Sequence, residues 1–377
     1  MSRSDVLVVA GEPSGDRIAA LVARALAEQG VRAHGIAGPA AGAAGVEIVA
    51  DGSRLAAMGL ADVVARVPDL VQSLARLLAR VRRDPPRAAL LVDHTELNQR
   101  LGRLLRARGT RVLWCVAPQV WAWRPGRLSA LRDAVDRLAV ILPFEEALWR
   151  EAGYDARYVG HPSLDSPSLD RSAARAELAI DPGARAVAVL PGSRAGEVLR
   201  LARPLAEAAA LLSAEGVTAR MILAPGLDRR AREAAVAAAR AAGVTIADGD
   251  PDHGAGPLLA AFDASLCASG TATLEAALAA AAPVVAYRLD PVAFAVARRL
   301  VRTPHVALPN VLLGRRAFPE LLQGEVTPAR LAAAAGALLA RRDEAVRVAA
   351  ELRAVLAPPS AETFGRRVAD LLLPWLR

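Results

Sequence analysis

The chain has 377 residues, of which 54% are hydrophobic and 23% charged, so a packed protein of about two domains is expected and wholesale disorder is excluded. The formal net charge of +8 favours an acidic partner, such as a phosphorylated substrate or an anionic membrane. Nucleic acid is disfavoured as a partner, because the basic residues are spread along the chain without zinc-finger spacing or an aromatic RNA-binding motif.

Short apolar runs alternate with helical patterns, beginning with a strand at Val6–Ala10, a turn, and a helix from about Asp16 to Glu28. Further apolar runs are predicted as buried strands at Ala88–Val92, Arg111–Val116, Arg137–Ile141, Ala186–Leu190, Ala219–Leu223, Ala264–Ala268 and Pro283–Ala286. Apolar strands separated by helices are typical of parallel sheets covered on both faces. The expected fold is α/β, with two doubly wound, Rossmann-like domains facing each other across a cleft.

A proline-containing stretch between Gly160 and Arg185 shows no strand pattern, which is typical of a domain boundary. We predict an N-terminal domain over 1–165, a second domain over 166–350, and a C-terminal helix over 351–377 that packs back on the first domain. Ligands of doubly wound sheets bind at the carboxyl ends of the strands, so the turns after the strands are the candidate sites.

The turn at 11–16 follows the first strand. Its glycine spacing does not match the dinucleotide-binding fingerprint, and no lysine follows as in a P-loop. Its two acids, Glu12 and Asp16, would repel phosphate. The turn is therefore either a tight turn with a helix cap or a site for a sugar hydroxyl or amine, with Glu12 and Ser14 as candidates.

Asp93 directly follows the Ala88–Val92 strand. A carboxylate in that position can accept a proton from a substrate in the cleft, and His94 and Glu96 could share this work. From the residues alone, an aspartate that caps the following turn is the simpler explanation.

Two turns in the second half suit a nucleotide. Gly192, Ser193 and Arg194 lie between a strand and a helix, where backbone N–H groups and a fixed charge can hold a diphosphate. Ser269, Gly270 and Thr271 also begin a helix, and Glu275 lies one turn further on, where its carboxylate could accept two ribose hydroxyls. A capping motif is the alternative for this second turn.

Trp114, Trp121 and Trp123 cluster in the sequence and could stack on a sugar, although tryptophan more often packs in the interior. The histidines show no metal-ligand spacing, and Asp248-Gly249-Asp250 lies in a loop rich in turn formers, so no metal site is predicted. Cys115 and Cys267 lie in apolar stretches and are predicted to be buried free thiols in a reducing compartment.

A series of sequence blocks resembles the lipid-A-disaccharide synthase family. The blocks lie at 10–16, 58–60, 120–127, 142–145, 159–162, 190–194, 268–275, 297–301 and 308–310. They occur in the order of the family and run from about Val6 to Pro328. The blocks at 120–127 and 269–275 are specific to the family, whereas glycine turns alone occur in many folds.

The resemblance implies a GT-B fold and an inverting transfer that needs no metal or other cofactor. The implied donor is UDP-linked 2,3-diacylglucosamine, and the implied acceptor is 2,3-diacylglucosamine 1-phosphate. At matching positions, Asp93 is the essential acid. The other implied site residues are Gly192, Ser193, Arg194, Ser269, Gly270, Thr271, Glu275 and Asn310 for the UDP-sugar, and Glu12, Ser14, Asn98 and Trp121 as acceptor-side candidates.

One block departs from the family. The family usually reads Asp-Ala-Pro-Asp-Phe-Asn where this chain keeps only the first Asp and the last Asn, at Asp93 and Asn98. The departure puts the acceptor geometry in question. The alternatives are another GT-B UDP-sugar transferase, a UDP-sugar epimerase, or a nucleotide-binding module without catalysis, whereas a nicotinamide dehydrogenase lacks its glycine fingerprint.

Substrates with two acyl chains lie in a bilayer, so the resemblance also implies a cytoplasmic protein that docks on the inner face of the inner membrane, as a monomer or a homodimer. No run of 18 or more apolar residues occurs. The candidate docking helix has an apolar stripe of Leu70, Val71, Leu74, Leu77, Leu78 and Val81, flanked by Arg76, Arg80, Arg82 and Arg83. An ordinary helix packed on the N-terminal sheet is the alternative.

Overall fold

The computed structural model describes residues 6–52, 72, 75–83, 85–93, 95–123, 131–290, 294 and 303–377. The chain divides into two compact units, one formed by Met1–Asp165 with Leu356–Arg377 and the other by Ser166–Val355. The boundary expected from the sequence also lies at 165, whereas the C-terminal segment that returns to the first unit begins at 356 and not at the expected 351. Each unit has its own parallel sheet.

The first unit is built on a seven-stranded sheet. Its strands are β1 Val6–Ala10, β2 Ala33–Ala37, β3 Glu47–Asp51, β4 Ala88–Val92, β5 Arg111–Cys115, β6 Arg137–Val140 and β7 Ala156–Tyr158. They pair in the order β3-β2-β1-β4-β5-β6-β7, with every pairing parallel. Strands β1 and β4 lie at the centre and are buried along their whole length, which explains their continuous apolar sequences.

The second unit is built on a six-stranded parallel sheet. Its strands are β8 Ala186–Leu190, β9 Thr218–Leu223, β10 Thr245–Asp248, β11 Ala264–Ala268, β12 Ala282–Tyr287 and β13 Glu320–Leu322. They pair in the order β10-β9-β8-β11-β12-β13. The central strands β8 and β11 are again fully buried. Because they pair in parallel, their carboxyl ends are adjacent at one edge of the sheet.

Helices connect the strands in both units. The α-helices are α1 Pro13–Ala27, α2 Pro39–Ala43, α3 Thr95–Arg106, α4 Val120–Trp123, α5 Pro143–Glu151, α6 Arg171–Glu177, α7 Ala195–Ala214, α8 Arg229–Ala241, α9 Thr271–Leu278, α10 Leu308–Leu313, α11 Pro328–Leu339, α12 Arg342–Val355 and α13 Phe364–Leu372. Short 3₁₀ helices lie at Pro162–Leu164, Gly256–Ala261, Gln323–Glu325 and Leu373–Trp375. Residues 75–83 are also helical.

The C-terminal helix α13 completes the core of the first unit. Phe364, Val368 and Leu372 are fully buried in the same apolar cluster as residues of β1 and β4. Helix α13 approaches α1 closely at Gly365, where a Cβ atom would lie 2.2 Å from the carbonyl oxygen of Leu21. Truncation of the last helix would therefore open the core of the first unit.

The predicted docking stripe is partly a core element. Leu77 and Val81 are fully buried with Leu7 and Leu91 of the first sheet, so the prediction that Leu77 faces lipid is wrong. Packing on the sheet removes the apolar surface of Leu77 from water and so stabilises the fold without a membrane. Leu78 is half-buried, and Arg80 forms an ion pair with Glu47 at 3.7 Å.

The other residues of the predicted docking helix divide into two groups. Leu70, Val71 and Leu74 lie outside the described residues. The arginines on the other side of the helical segment, Arg76, Arg82 and Arg83, are exposed. No helix within the described ranges is long and apolar enough to cross a membrane.

Candidate active site

Two residues at the carboxyl edge of the first sheet have left-handed backbone conformations. Asp93 follows β4 with φ 52°, and Val116 follows the neighbouring strand β5 with φ 63°. Aspartate visits this region at modest cost, whereas a β-branched residue is a true outlier there. Strained residues of this kind cluster at functional sites. The sequence analysis missed Val116, because it reads as the last residue of an apolar strand.

Asn98 holds the end of β4 in place. It is fully buried, and its Nδ2 donates hydrogen bonds to the carbonyl oxygens of Val92, at 3.1 Å, and of Asp93. A side chain buried in this way cannot reach a substrate, so the prediction that Asn98 contacts the acceptor is corrected. Its function is to brace the strained backbone at Asp93.

The first turn of the chain meets Asp93 at the same edge. A Cβ atom at Gly15 would lie 3.9 Å from the Cβ of Asp93 and 3.5 Å from the Cγ1 of Val92. The start of α1 therefore packs directly against the end of β4. Glu12 and Ser14 belong to this turn and are partly exposed, so the structure brings both residues to the edge that carries Asp93.

Asp16, the second acid of the turn, has a structural function. Its carboxylate is buried and accepts hydrogen bonds from the backbone N–H groups of Gly38, at 2.7 Å, and Ala40, at 2.9 Å. These bonds cap α2 at its N-terminus, where a negative charge is favourable.

Trp121 contacts the segment that follows β6. Its indole Nε1 donates a hydrogen bond to Glu145 Oε1 at 3.0 Å, and its ring meets the ring of Phe144 edge-on at 5.1 Å between centroids. Glu145 is buried, and burial raises the pKa of its carboxyl group to about 7, although the hydrogen bonds from Trp121 and the backbone oppose this shift. In the sequence, Glu145 belongs to the family-like block at 142–145, to which no function is assigned.

The two cysteines are buried free thiols, as predicted. Burial raises the pKa of the Cys115 thiol to about 12, and the negative charge of Asp93 adds to the shift. Burial also raises the pKa of the Cys267 thiol to about 12, and the negative charge of Glu275 is a minor cause. Each thiol therefore lies near an acid of the candidate site, and neither is reactive at neutral pH.

The turn after β8 forms a compact group around Glu197. The backbone N–H groups of Ser193 and Arg194 each lie 3.4 Å from Glu197 Oε2, and Arg194 Nη1 lies 3.4 Å from Glu197 Oε1. Gly192 has φ 115°, a conformation that favours glycine, and a Cβ atom there would lie 2.9 Å from the Cβ of Glu197. The Arg194 side chain is 63% exposed, which leaves its guanidinium accessible to an anion.

The turn after β11 lies beside the turn after β8. A Cβ atom at Gly192 would lie 3.4 Å from the Cβ of Ala268, the last residue of β11. Ser269 is half-buried, and Gly270 and Thr271 are exposed at the start of α9. The N-cap residue of α9 is Gly270, so no N-cap side chain binds the first backbone N–H groups of this helix. The structure therefore places both predicted anion-binding turns at one edge of the second sheet.

Asn310 is part of a buried network under this edge. Its Nδ2 donates hydrogen bonds to the Phe318 carbonyl oxygen and to Glu320 Oε1, both at 2.9 Å, and its Oδ1 accepts from the Phe318 N–H at 2.9 Å. Both donor positions of the amide are used inside the protein. The prediction that the Asn310 side chain contacts UDP is corrected, because its hydrogen bonds tie α10 to Phe318 in the segment that follows this helix and to Glu320 of β13.

The Asp248-Gly249-Asp250 loop is a solvated turn, as expected. Asp248 pairs with Arg232 at 2.7 Å, and Asp250 Oδ1 accepts hydrogen bonds from the N–H groups of Asp252 and His253. Within the described residues, no group of three or more histidine, cysteine or acidic side chains could hold a metal ion.

Comparison with known sequences gives matches over nearly the whole chain. The sequence model of the family described as lipid-A-disaccharide synthetase matches residues 6–357. A lipid-A-disaccharide synthase of Anaeromyxobacter dehalogenans (strain 2CP-1 / ATCC BAA-258) is 40% identical over 381 residues, covering 99% of this chain and 97% of the relative. A lipid-A-disaccharide synthase of Myxococcus xanthus (strain DK1622) is 40% identical over 380 residues, covering 98% of this chain and 97% of the relative.

Solved structures are similar in fold at low sequence identity. The calicheamicin glycosyltransferase CalG4 is 18% identical with a TM-score of 0.60, covering 100% of this chain and 99% of its own. A putative UDP-N-acetylglucosamine 2-epimerase from Listeria monocytogenes is 13% identical with a TM-score of 0.63, covering 100% of this chain and 96% of its own. The two parallel-sheet units are those of the GT-B fold, which confirms the predicted fold class.

Proposed function

The chain belongs to the lipid-A-disaccharide synthase family, and on that premise we propose that it joins UDP-linked 2,3-diacylglucosamine to 2,3-diacylglucosamine 1-phosphate. The products are lipid A disaccharide 1-phosphate and UDP. The observation that carries the proposal is Asp93, an acid in a strained backbone conformation at the carboxyl edge of the first sheet. An acid at that edge can receive the proton that the acceptor hydroxyl loses.

The chemical step is a single displacement. The acceptor hydroxyl oxygen forms a bond to the anomeric carbon of the donor while the bond from that carbon to the diphosphate oxygen breaks, so the anomeric configuration inverts. Asp93 takes the hydroxyl proton, a contribution of about 10²–10⁴-fold to the rate. Negative charge grows on the departing UDP and requires donors that are already in place.

The edge of the second sheet supplies such donors. Arg194 and the starts of α7 and α9 present a guanidinium group and backbone N–H groups to an anion. A bound diphosphate would compete with Glu197 for the Arg194 guanidinium and for the N–H groups of Ser193 and Arg194. Glu275, one turn into α9, is assigned to the ribose hydroxyls, and Asn310 supports the site from below.

The acceptor is assigned to the first unit. Glu12 and Ser14 lie in the turn that packs against the end of β4, and this position supports their assignment to sugar hydroxyls near Asp93. Trp121 supplies an aromatic ring at the segment after β5, where it can pack on the sugar or its acyl chains. Asn98 acts on the acceptor only through Asp93.

Both substrates carry acyl chains, so we assign the protein to the inner face of the bacterial inner membrane as a peripheral enzyme. The buried position of Leu77 and Val81 removes those side chains from the docking surface. The exposed arginines Arg76, Arg82 and Arg83 are the described part of the helix that can meet anionic head groups.

The decisive experiment supplies the purified enzyme with the donor and with acylated or unacylated glucosamine 1-phosphate, and follows UDP release and product mass. The proposal expects a tetra-acylated disaccharide 1-phosphate and one UDP per disaccharide with the acylated acceptor only. Transfer to the unacylated acceptor alone would indicate another GT-B transferase. Conversion of the UDP-sugar without any acceptor would indicate the epimerase.

A further inference from the structure

Glu145 is a buried carboxyl group to which the transfer reaction above assigns no function. It follows β6, on the same edge of the first sheet as Asp93, and its residue is 1% exposed. Its Oε1 accepts the Trp121 indole N–H at 3.0 Å, and its Oε2 accepts the Leu142 backbone N–H at 3.2 Å. Among the described residues, no basic side chain forms an ion pair with it. The bond to Leu142 belongs to a capping box at the start of α5, whereas the bond to Trp121 lies outside this capping function and indicates a further use.

The use that the contacts indicate is to fix Trp121. Helix α4 has only four residues, so it cannot hold its own shape without tertiary contacts. Val120 is buried in the apolar cluster beneath it, and Phe144 meets the Trp121 ring edge-on. The hydrogen bond from Glu145 adds a directional contact to the indole N–H, which apolar packing alone cannot provide.

We propose that Glu145 is a positioning residue for the acceptor, and that it acts by holding the Trp121 indole at the carboxyl edge of the first sheet. The inference rests on the proposed function, because it assigns the Trp121 ring to the acceptor. Glu145 itself touches neither substrate. The burial that raises the pKa of Glu145 to about 7 supports this assignment, since a neutral carboxyl group keeps an acceptor oxygen for the indole at lower desolvation cost.

The test compares three single variants and one double variant. Glu145→Ala removes the acceptor of the hydrogen bond, and Glu145→Gln keeps an acceptor oxygen of similar position. Trp121→Phe keeps an aromatic ring and removes the N–H donor. The double variant Glu145→Ala/Trp121→Phe measures whether the two residues act together. Each variant is assayed for kcat, for the KM of each substrate, and for the Kd of UDP.

The proposal predicts that Glu145→Ala and Trp121→Phe each lower kcat/KM for the acceptor by about tenfold, mainly through KM, with the UDP Kd unchanged within about twofold. Glu145→Gln should stay within about threefold of the wild type. The double variant should lose no more than the larger single loss. Each of the following results would overturn the proposal: wild-type acceptor kinetics in Glu145→Ala, a matching loss of UDP affinity, or losses that multiply in the double variant.

The test remains decisive if one variant does not fold or if the enzyme is inactive. If Glu145→Ala does not fold, Trp121→Phe and Glu145→Gln still decide, because neither leaves a large cavity or removes the acceptor and the donor together. Normal acceptor kinetics in Trp121→Phe would then contradict the proposal. A wild-type enzyme that makes no disaccharide would contradict the proposed function itself, which separates that failure from a failure of this inference.

Discussion

The buried amide of Asn98 donates a hydrogen bond to the carbonyl oxygen of Asp93, whose backbone is left-handed with φ 52°. The same amide also binds the carbonyl oxygen of Val92. Asn98 therefore ties the first turn of α3 to the strand end that carries Asp93, the proposed base. One buried side chain thus binds both the buried carbonyl group of Val92 and the partly buried carbonyl group of the strained residue Asp93.

We expect Asn98→Ala to lower kcat by about tenfold or more and to destabilise the first unit by about 1–3 kcal/mol, because the carbonyl groups of Val92 and Asp93 lose this donor. Asn98→Asp is the matched comparison, since it keeps the shape and presents acceptor oxygens to the two carbonyls. Asn98→Asp should lower both kcat and the stability of the first unit more than Asn98→Ala does. Steady-state kinetics and thermal unfolding decide, and a fully active Asn98→Ala enzyme would show that Asp93 needs no brace.

Arg194→Ala should weaken UDP binding by about 1.5–3 kcal/mol in calorimetry, the usual range for a hydrogen bond to a charged group. Arg203→Ala is the control, because Arg203 is an exposed arginine of the same helix and pairs with Glu207 at 2.7 Å as Arg194 pairs with Glu197. The control should bind UDP normally. Equal effects of the two substitutions would move the diphosphate away from the turn after β8.

Glu145 should make stability depend on pH. Burial raises the pKa of Glu145 from 4.5 to about 7, so the folded state favours the neutral acid. The contribution of this group to the free energy of unfolding is fully present below about pH 4.5 and is lost as the pH rises to about 7. The loss is on the order of 3 kcal/mol. Glu145→Gln does not titrate, so its unfolding free energy should fall less over this range.

The control for this measurement is Glu146→Gln, which removes the neighbouring acid, one that forms an ion pair with Arg150. It should keep the pH dependence of the wild type. Denaturant unfolding at pH 5 and pH 8 supplies the comparison. Parallel stability changes in the wild type and in Glu145→Gln would mean that Glu145 titrates in its ordinary range.

Membrane docking should depend on the exposed arginines of the helical segment 75–83. We expect Arg82→Glu/Arg83→Glu to reduce flotation with anionic vesicles and to leave the fold intact, since both residues are exposed. Arg229→Glu/Arg230→Glu makes the same charge change on exposed residues of α8 in the second unit. Added salt should weaken the binding of the wild-type protein to anionic vesicles. Equal losses in both variants would indicate a general charge effect and no docking helix.

The sequence predicts the centre of each sheet better than its periphery. Strands β1, β4, β8 and β11 are buried on both faces and therefore read as apolar runs with clear ends. The sequence analysis missed β2, β3, β7, β10 and β13. Strand β2 contains a histidine and a glycine, and β3 is an exposed edge strand, so neither carries a continuous apolar signal.

The candidate site was predictable where function depends on local sequence. The turn at Gly192–Arg194 carries its glycine, its charge and its helix start within a few residues. The contact between Glu145 and Trp121 joins residues that are 24 positions apart, so only the fold brings them near. A residue that braces a site and a residue that touches the substrate look the same in one sequence.

If Asp93 is the base of the transfer, its replacement by asparagine should slow the chemical step itself, which is measured as the rate of a single turnover in Asp93→Asn. Asparagine has the size of aspartate and tolerates the left-handed backbone, so the substitution should leave the fold intact. With both acylated substrates bound, we expect the rate of disaccharide formation to fall by at least about 10²-fold, with an unchanged Kd for UDP. A rate near that of the wild type would contradict the account and move the base to another acid at this edge of the sheet.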